Sequence, residues 1–141
     1  MPSREGVQSE TQMDDLDKTL EQLEGVKARP ADLHRLRQKP LKEFTTEDLR
    51  IMIGQNEGLV FLVPLALERL REYPLTAGGS YAGDLLKSTL CLEPAFWKAH
   101  PDLRSLAAKI AAYAARLVEA QEDEAAKKVL VKAIRLFQAS A

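Results

Sequence analysis

Apolar residues recur along this chain at the spacing of helices. Met13, Leu16, Leu20 and Leu23 stand three or four positions apart, one stripe of an amphipathic helix, and Gly25 follows where such a helix would stop. Pro30 and Pro40 bracket a segment in which Leu33 and Leu36 can turn inward, either a short helix or a connector. A clearer start comes at Thr45. Asp48 lies three residues on, as in a capping box with Asp in place of Glu, and Leu49, Met52 and Ile53 supply an inward face up to Gly54. Replacing Thr45 by Ala is expected to cost about 1 kcal/mol through the lost cap, to be read as a lower midpoint in urea unfolding.

The apolar run after Gly58 continues into Glu68, Arg69, Arg71 and Glu72 before Pro74, which is too long for a typical strand and predicts a largely buried helix. Pro64 interrupts it, so that helix is either kinked there or begins irregularly with Pro64 in its first turn. Gly78, Gly79 and Gly83 predict a tight loop, with a helix from about Asp84 to Leu92 after it. Pro94 and Pro101 then enclose a short aromatic segment of one helical turn.

From Asp102 to Ala139 the chain could pass for one long helix, but the phase breaks. Leu103, Leu106, Ile110, Tyr113 and Leu117 share one face, whereas Val129, Ala133, Ile134 and Phe137 fall roughly opposite. A turn near Gln121 to Glu124, capped by Asp123, lets both stripes face one core as an antiparallel pair. No strand pattern of comparable length occurs, and no repeat. The pattern therefore predicts an all-α fold: a single-domain helical bundle of about six to eight helices over residues 13–141, ending in an antiparallel helix pair and preceded by a loose polar tail at 1–12.

Composition narrows the function. The 141 residues are 45% hydrophobic and 29% charged with a net charge of −1, an ordinary soluble balance without the basic surplus that marks nucleic-acid binding. The lone Cys91 rules out an internal disulfide. With no secretory start and no apolar run long enough to span a bilayer, the expectation is a cytoplasmic protein that does not engage a membrane. Asp14, Asp15, Asp17, Glu21 and Glu24 against Lys18 make the first helix acidic, a face that more often serves solubility than a basic partner.

Candidate chemistry is sparse. His34 and His100 complete no metal-ligand spacing, and Cys91 reads as a small buried hydrophobe without an activating neighbour. Gly78 and Gly83 share the separation of P-loop glycines, but Asp84 and Leu85 follow where Lys and Ser or Thr are needed, placing a negative charge where a phosphate would lie. No catalytic set, metal site or cofactor is predicted, and the chain reads as a binding protein rather than an enzyme. An enzyme would require paired carboxylates in a pocket, or Cys91 held next to His34 or His100.

In order along the chain, LKEFTTEDLRIMIGQNEGL, LVPLALERL, GGSYAGDLL and PAFW resemble the immunity proteins of bacterial contact-dependent growth inhibition systems, over roughly residues 35–103. The acidic first helix and the terminal helix pair lie outside that resemblance. It implies a small cytoplasmic protein that forms a one-to-one complex with the toxic C-terminal domain of an exported effector and blocks its active site or substrate path. Some members of the wider group neutralise ribonucleases. Carboxylates suit a basic nuclease cleft, which makes Glu47, Glu57, Asp84 and Glu93 candidate contacts, with Tyr81 and Trp97 as anchors. Each has a structural alternative: Tyr81 and Trp97 as packing residues, Gln55 and Asp84 as partners of backbone groups near the glycines. The competing reading is a helical adaptor that docks another partner through its acidic helix.

Overall fold

A computed structural model of the protein describes residues 13–140, with side chains from Asp15 onward. The expected tail at 1–12 lies outside the described residues. Eight α-helices follow a 3-10 turn at Met13–Asp17: α1 (Leu20–Glu24), α2 (Ala31–Arg37), α3 (Thr46–Gly54), α4 (Leu59–Glu72), α5 (Asp84–Leu90), α6 (Pro94–Ala99), α7 (Pro101–Leu117) and α8 (Glu124–Ala139). The fold is all-α, as the apolar spacing predicts. The one extended feature among the described residues is an isolated antiparallel bridge between Ala77 and Ala82.

Local sequence explains most of the boundaries. The Thr45 hydroxyl accepts the Asp48 N–H at 3.0 Å and the Asp48 carboxylate accepts the Thr45 N–H at 3.0 Å, closing the expected capping box. Asp123 caps α8 by accepting the Ala126 N–H at 3.1 Å, so the chain turns where the phase breaks. Pro94 and Pro101 each occupy the first turn of a helix, where a missing N–H costs nothing. Pro101 thus starts α7 rather than only ending α6. Pro64 lies in the second turn of α4, neither at its start nor at a break, and is buried with Leu62, Val63, Ala66 and Leu67.

Three expectations need correction. The stripe from Met13 to Leu23 is two pieces, because Thr19 and Gln22 form a capping box of their own that restarts the helix at Leu20. The helix begun at Asp84 ends at Leu90, two residues early, leaving Cys91 exposed at its C-cap instead of buried. In α7 the innermost line is Leu103, Ala107, Ile110, Ala111 and Ala114, continued by Val118 just beyond it, while Tyr113 is 45% exposed; in α8 Leu130 is buried and Val129 is not. Alanines let α7 approach its neighbours closely, so the small residues rather than the larger Tyr113 and Leu117 define its buried side.

One buried cluster draws on every helix from α1 to α8. α5 lies among α3, α4 and α8, and α7 packs on α4, α6 and α8. Near the start of α7, Arg104 donates to the carbonyls of Phe137 and Ser140 at the end of α8 and stacks 4.9 Å from the Phe137 ring centroid. Trp97 meets Phe137 edge-on at 5.5 Å, sealing α6 against α8.

The α3 cap also carries a pH dependence. Burial by itself would raise the Asp48 carboxyl, but the hydrogen bond from Lys39 at 2.6 Å, the Thr45 cap and the Lys39 charge outweigh it and hold Asp48 below the ordinary aspartate range. A lowered folded value makes the stabilisation complete above the unfolded value of about 3.9 and drains it as the pH falls through the folded value. Urea midpoints measured from neutral pH into the acid range should decline in that window, and Asp48→Asn should flatten the decline.

Candidate partner-binding site

The connection from α4 to α5 is held by one carboxylate. Asp84 opens α5, is 2% exposed and turns back into the loop, where Oδ1 accepts the Gly78 N–H at 2.6 Å and Oδ2 accepts those of Ser80 at 2.8 Å and Tyr81 at 3.3 Å. Three backbone donors outside any helix are thereby satisfied. Arg50 of α3 faces the same carboxylate at 3.5 Å and lies 3.7 Å from Glu47. The chain passes so close to α3 that a Cβ at Gly79, where φ is +125°, would sit 2.8 Å from a Glu47 carboxylate oxygen. At Gly83, with φ +95°, a Cβ would come within 2.5 Å of a Leu130 methyl, and at both positions the positive φ favours glycine.

Tyr81 is half-buried beside this cluster. Burial raises its phenol, the charges of Asp84 and Cys91 add to the rise and Arg50 opposes it. The group therefore stays a neutral donor and acceptor at physiological pH.

The same loop borders a groove of about 410 Å³ lined by Glu72, Tyr73, Pro74, Leu75, Tyr113 and Leu117. Tyr73 is 69% and Tyr113 45% exposed. Gln121 donates to the Ala82 carbonyl at 3.3 Å and ties the loop to the turn before α8, where Glu119, Glu122 and Asp123 are exposed. Glu47 and Tyr81 stand beside the loop, the two tyrosines line the groove it borders, and these carboxylates lie at the turn tied to it. Large amphipathic rings beside charges are the usual composition of a protein-binding patch.

Of the residues expected from sequence, the structure brings Glu47, Tyr81 and Asp84 together and separates the others. Asp84 faces inward as the support of the loop, while Glu47 is exposed on its rim. Glu57 is buried in the connection from α3 to α4, paired with Arg29 and with Arg37 at 3.2 Å. Trp97 is 3% exposed and packs between Phe96 and Phe137. Glu93 is exposed at the N-cap of α6. Sequence reasoning missed Tyr73 and Tyr113. The Pro74 that follows Tyr73 was the available signal, since it ends α4 and leaves Tyr73 at the C-cap.

The acidic N-terminal segment is largely neutralised within the fold. Asp17 pairs with Lys42 at 2.6 Å, Asp15 with Lys18 at 3.9 Å, and Glu24 with Arg37 at 3.0 Å and Lys27 at 3.9 Å. His34 lies 3.9 Å from Glu21 and His100 stacks on Phe96 at 4.5 Å. Among the described residues no three of His, Cys, Asp and Glu are grouped to hold a metal, and no helix is long and apolar enough to cross a membrane.

Residues 10–106, about two thirds of the 141, match the sequence profile of the CDI immunity proteins, those of contact-dependent growth inhibition. The chain belongs to that family. The matched span includes the acidic N-terminal segment, which the resemblance read from the sequence had left out, and it contains the whole α4–α5 loop. It ends early in α7, so α8 lies beyond it. No curated protein and no solved structure matches this family member.

Proposed function

We propose that the protein is the immunity partner of one toxin: in the cytoplasm it forms a one-to-one complex with the C-terminal toxin domain of its cognate effector and covers the active site or substrate path. It acts by binding rather than by chemistry, as one helical domain over residues 13–141. Family membership carries this reading, and the surface around the 73–84 loop supports it with exposed tyrosines, a groove and a rim of carboxylates. The carboxylates point to a basic target such as a nuclease, because opposite charge speeds encounter and complements a phosphate-seeking cleft. On this reading Glu47, Tyr81, Tyr73 and Tyr113 touch the toxin, Glu93 stands at the periphery, and Glu57, Asp84 and Trp97 act through the fold that holds the surface.

Co-expression with the toxin domain encoded beside this gene tests it. Cells making the protein should grow while controls stop, and equal killing in both would sink the proposal. In purified components, Tyr73→Ala with Tyr113→Ala should weaken the complex by about 2 kcal/mol, roughly thirtyfold, without lowering the unfolding midpoint. For a nuclease toxin, Glu47→Lys should weaken binding more at low salt than at high salt, since screening already mutes the native attraction.

A further inference from the structure

The outer side of α8 differs in charge from the surface around the loop. Over Glu124–Ala139 it carries Lys127, Lys128, Lys132 and Arg135 against the single Glu124. These line an open groove of about 500 Å³ together with Val131 and Leu136. Lys127 has a carboxylate within 3.8 Å, that of Glu119; Lys128, Lys132 and Arg135 are exposed and form no ion pair among the described residues. What sets this face apart is the concentration of cations: Lys128, Lys132 and Arg135 stand within eight residues on one helix, around the exposed Leu136.

Leu136 stands on the ridge between that groove and a second cleft. It is 60% exposed, and on its other side a space of about 230 Å³ opens between α8 and the segment joining α5 to α6, walled by Leu90, Leu92, Pro94, Trp97 and Phe137. The Trp97 indole N–H is buried without a hydrogen-bond partner.

We infer that the α8 face is a second interaction surface, and that it takes an acidic amphipathic segment of a partner protein. Carboxylates of that segment pair with Lys128, Lys132 and Arg135, and one large apolar side chain lies over Leu136 into the Trp97 cleft. Charge complementarity selects an acidic occupant. The apolar half of the surface selects a protein over a nucleic acid, which would use the four cations for phosphates and leave Leu136 and the cleft uncovered. This inference does not rest on the toxin reading: α8 lies beyond the span matched by the family, and its charge is opposite to that of the loop surface.

Trp97 is the only tryptophan of the chain, so its indole resonance and its fluorescence report on the cleft without ambiguity. The experiment titrates the full-length protein with a synthetic helix-forming peptide that bears glutamates on one face and leucines on the other. Parallel titrations use the same peptide with its leucines changed to serine, and a single-stranded RNA oligonucleotide. The leucine-bearing peptide should shift the Trp97 indole and Leu136 methyl signals. Its affinity should fall about tenfold or more when Lys128, Lys132 and Arg135 are all changed to Glu, exposed substitutions that leave the core intact. An unmoved Trp97 signal overturns the inference. So does an equal response to the serine peptide or to RNA, which would make the face a general polyanion site, and so does a Trp97 shift on simple dilution, which would assign the face to a second copy of the chain.

Discussion

Changing Arg37 to Ala should lower the stability of this protein by about 3–5 kcal/mol, the loss typical of breaking a buried charge network from one side. Arg37 is fully buried in α2. Its guanidinium donates to Glu24 at 3.0 Å, to Glu57 at 3.2 Å and to the Gly25 carbonyl at 3.1 Å, and Arg29 pairs with the same Glu57. Removing it leaves Glu57 with a single cation and vacates space among α1, α2 and the connection from α3 to α4. Glu57→Gln should destabilise too, because Arg37 and Arg29 donate to different carboxylate oxygens and the amide keeps one acceptor while turning its NH2 toward the other guanidinium. Urea unfolding measures both, and an unchanged midpoint for Arg37→Ala would show that the network contributes little.

Asp84→Ala is expected to produce the second large effect, about 3 kcal/mol, since a buried charged acceptor leaves and its donors stay behind. Gly78, Ser80 and Tyr81 lose their common partner and Arg50 loses the carboxylate facing it. Amide hydrogen exchange should separate this from a general loss of stability: exchange at residues 78, 80 and 81 should accelerate far more than in the middle of α7. Toxin binding should weaken as well, because the loop presents Tyr81 and adjoins Tyr73. Asp84→Asn should also loosen the loop, because its single amide oxygen can serve only one side of the donor set and its NH2 then faces the other. Uniform acceleration across the chain would mean that Asp84 supports the whole fold and not the loop in particular.

The helices legible in the sequence are those whose signals are local. Thr45 with Asp48, Asp123 before α8, and the prolines at 94 and 101 act within one turn of themselves, and the structure has each helix end where those residues place it. Thr19 with Gln22 carried the same signal, and the apolar stripe running through it concealed the break. Of the candidate contacts, the grouping of Glu47 with Tyr81 and Asp84 depends on Arg50, 34 residues before Asp84 in sequence, reaching across from α3. Arg37 stands four residues after Leu33, on the inward face of α2, yet a cation there reads as exposed until its partners are known.

Periodicity, capping pairs and punctuation by proline and glycine therefore determined by themselves that this chain is all-α, where α3 and α8 begin, and that it carries no recognisable catalytic motif. Tertiary structure alone decided which charges are spent inside the fold and which remain for a partner. Glu57, Asp84 and much of the acidic N-terminal segment are engaged by cations, or in the case of Asp84 by backbone donors as well, whereas Tyr73, Tyr113, Lys128, Lys132 and Arg135 are exposed. The physical reason is range. Helix signals work between neighbours in sequence, but the neutralisation of a carboxylate and the exposure of a ring depend on residues that only packing brings beside them.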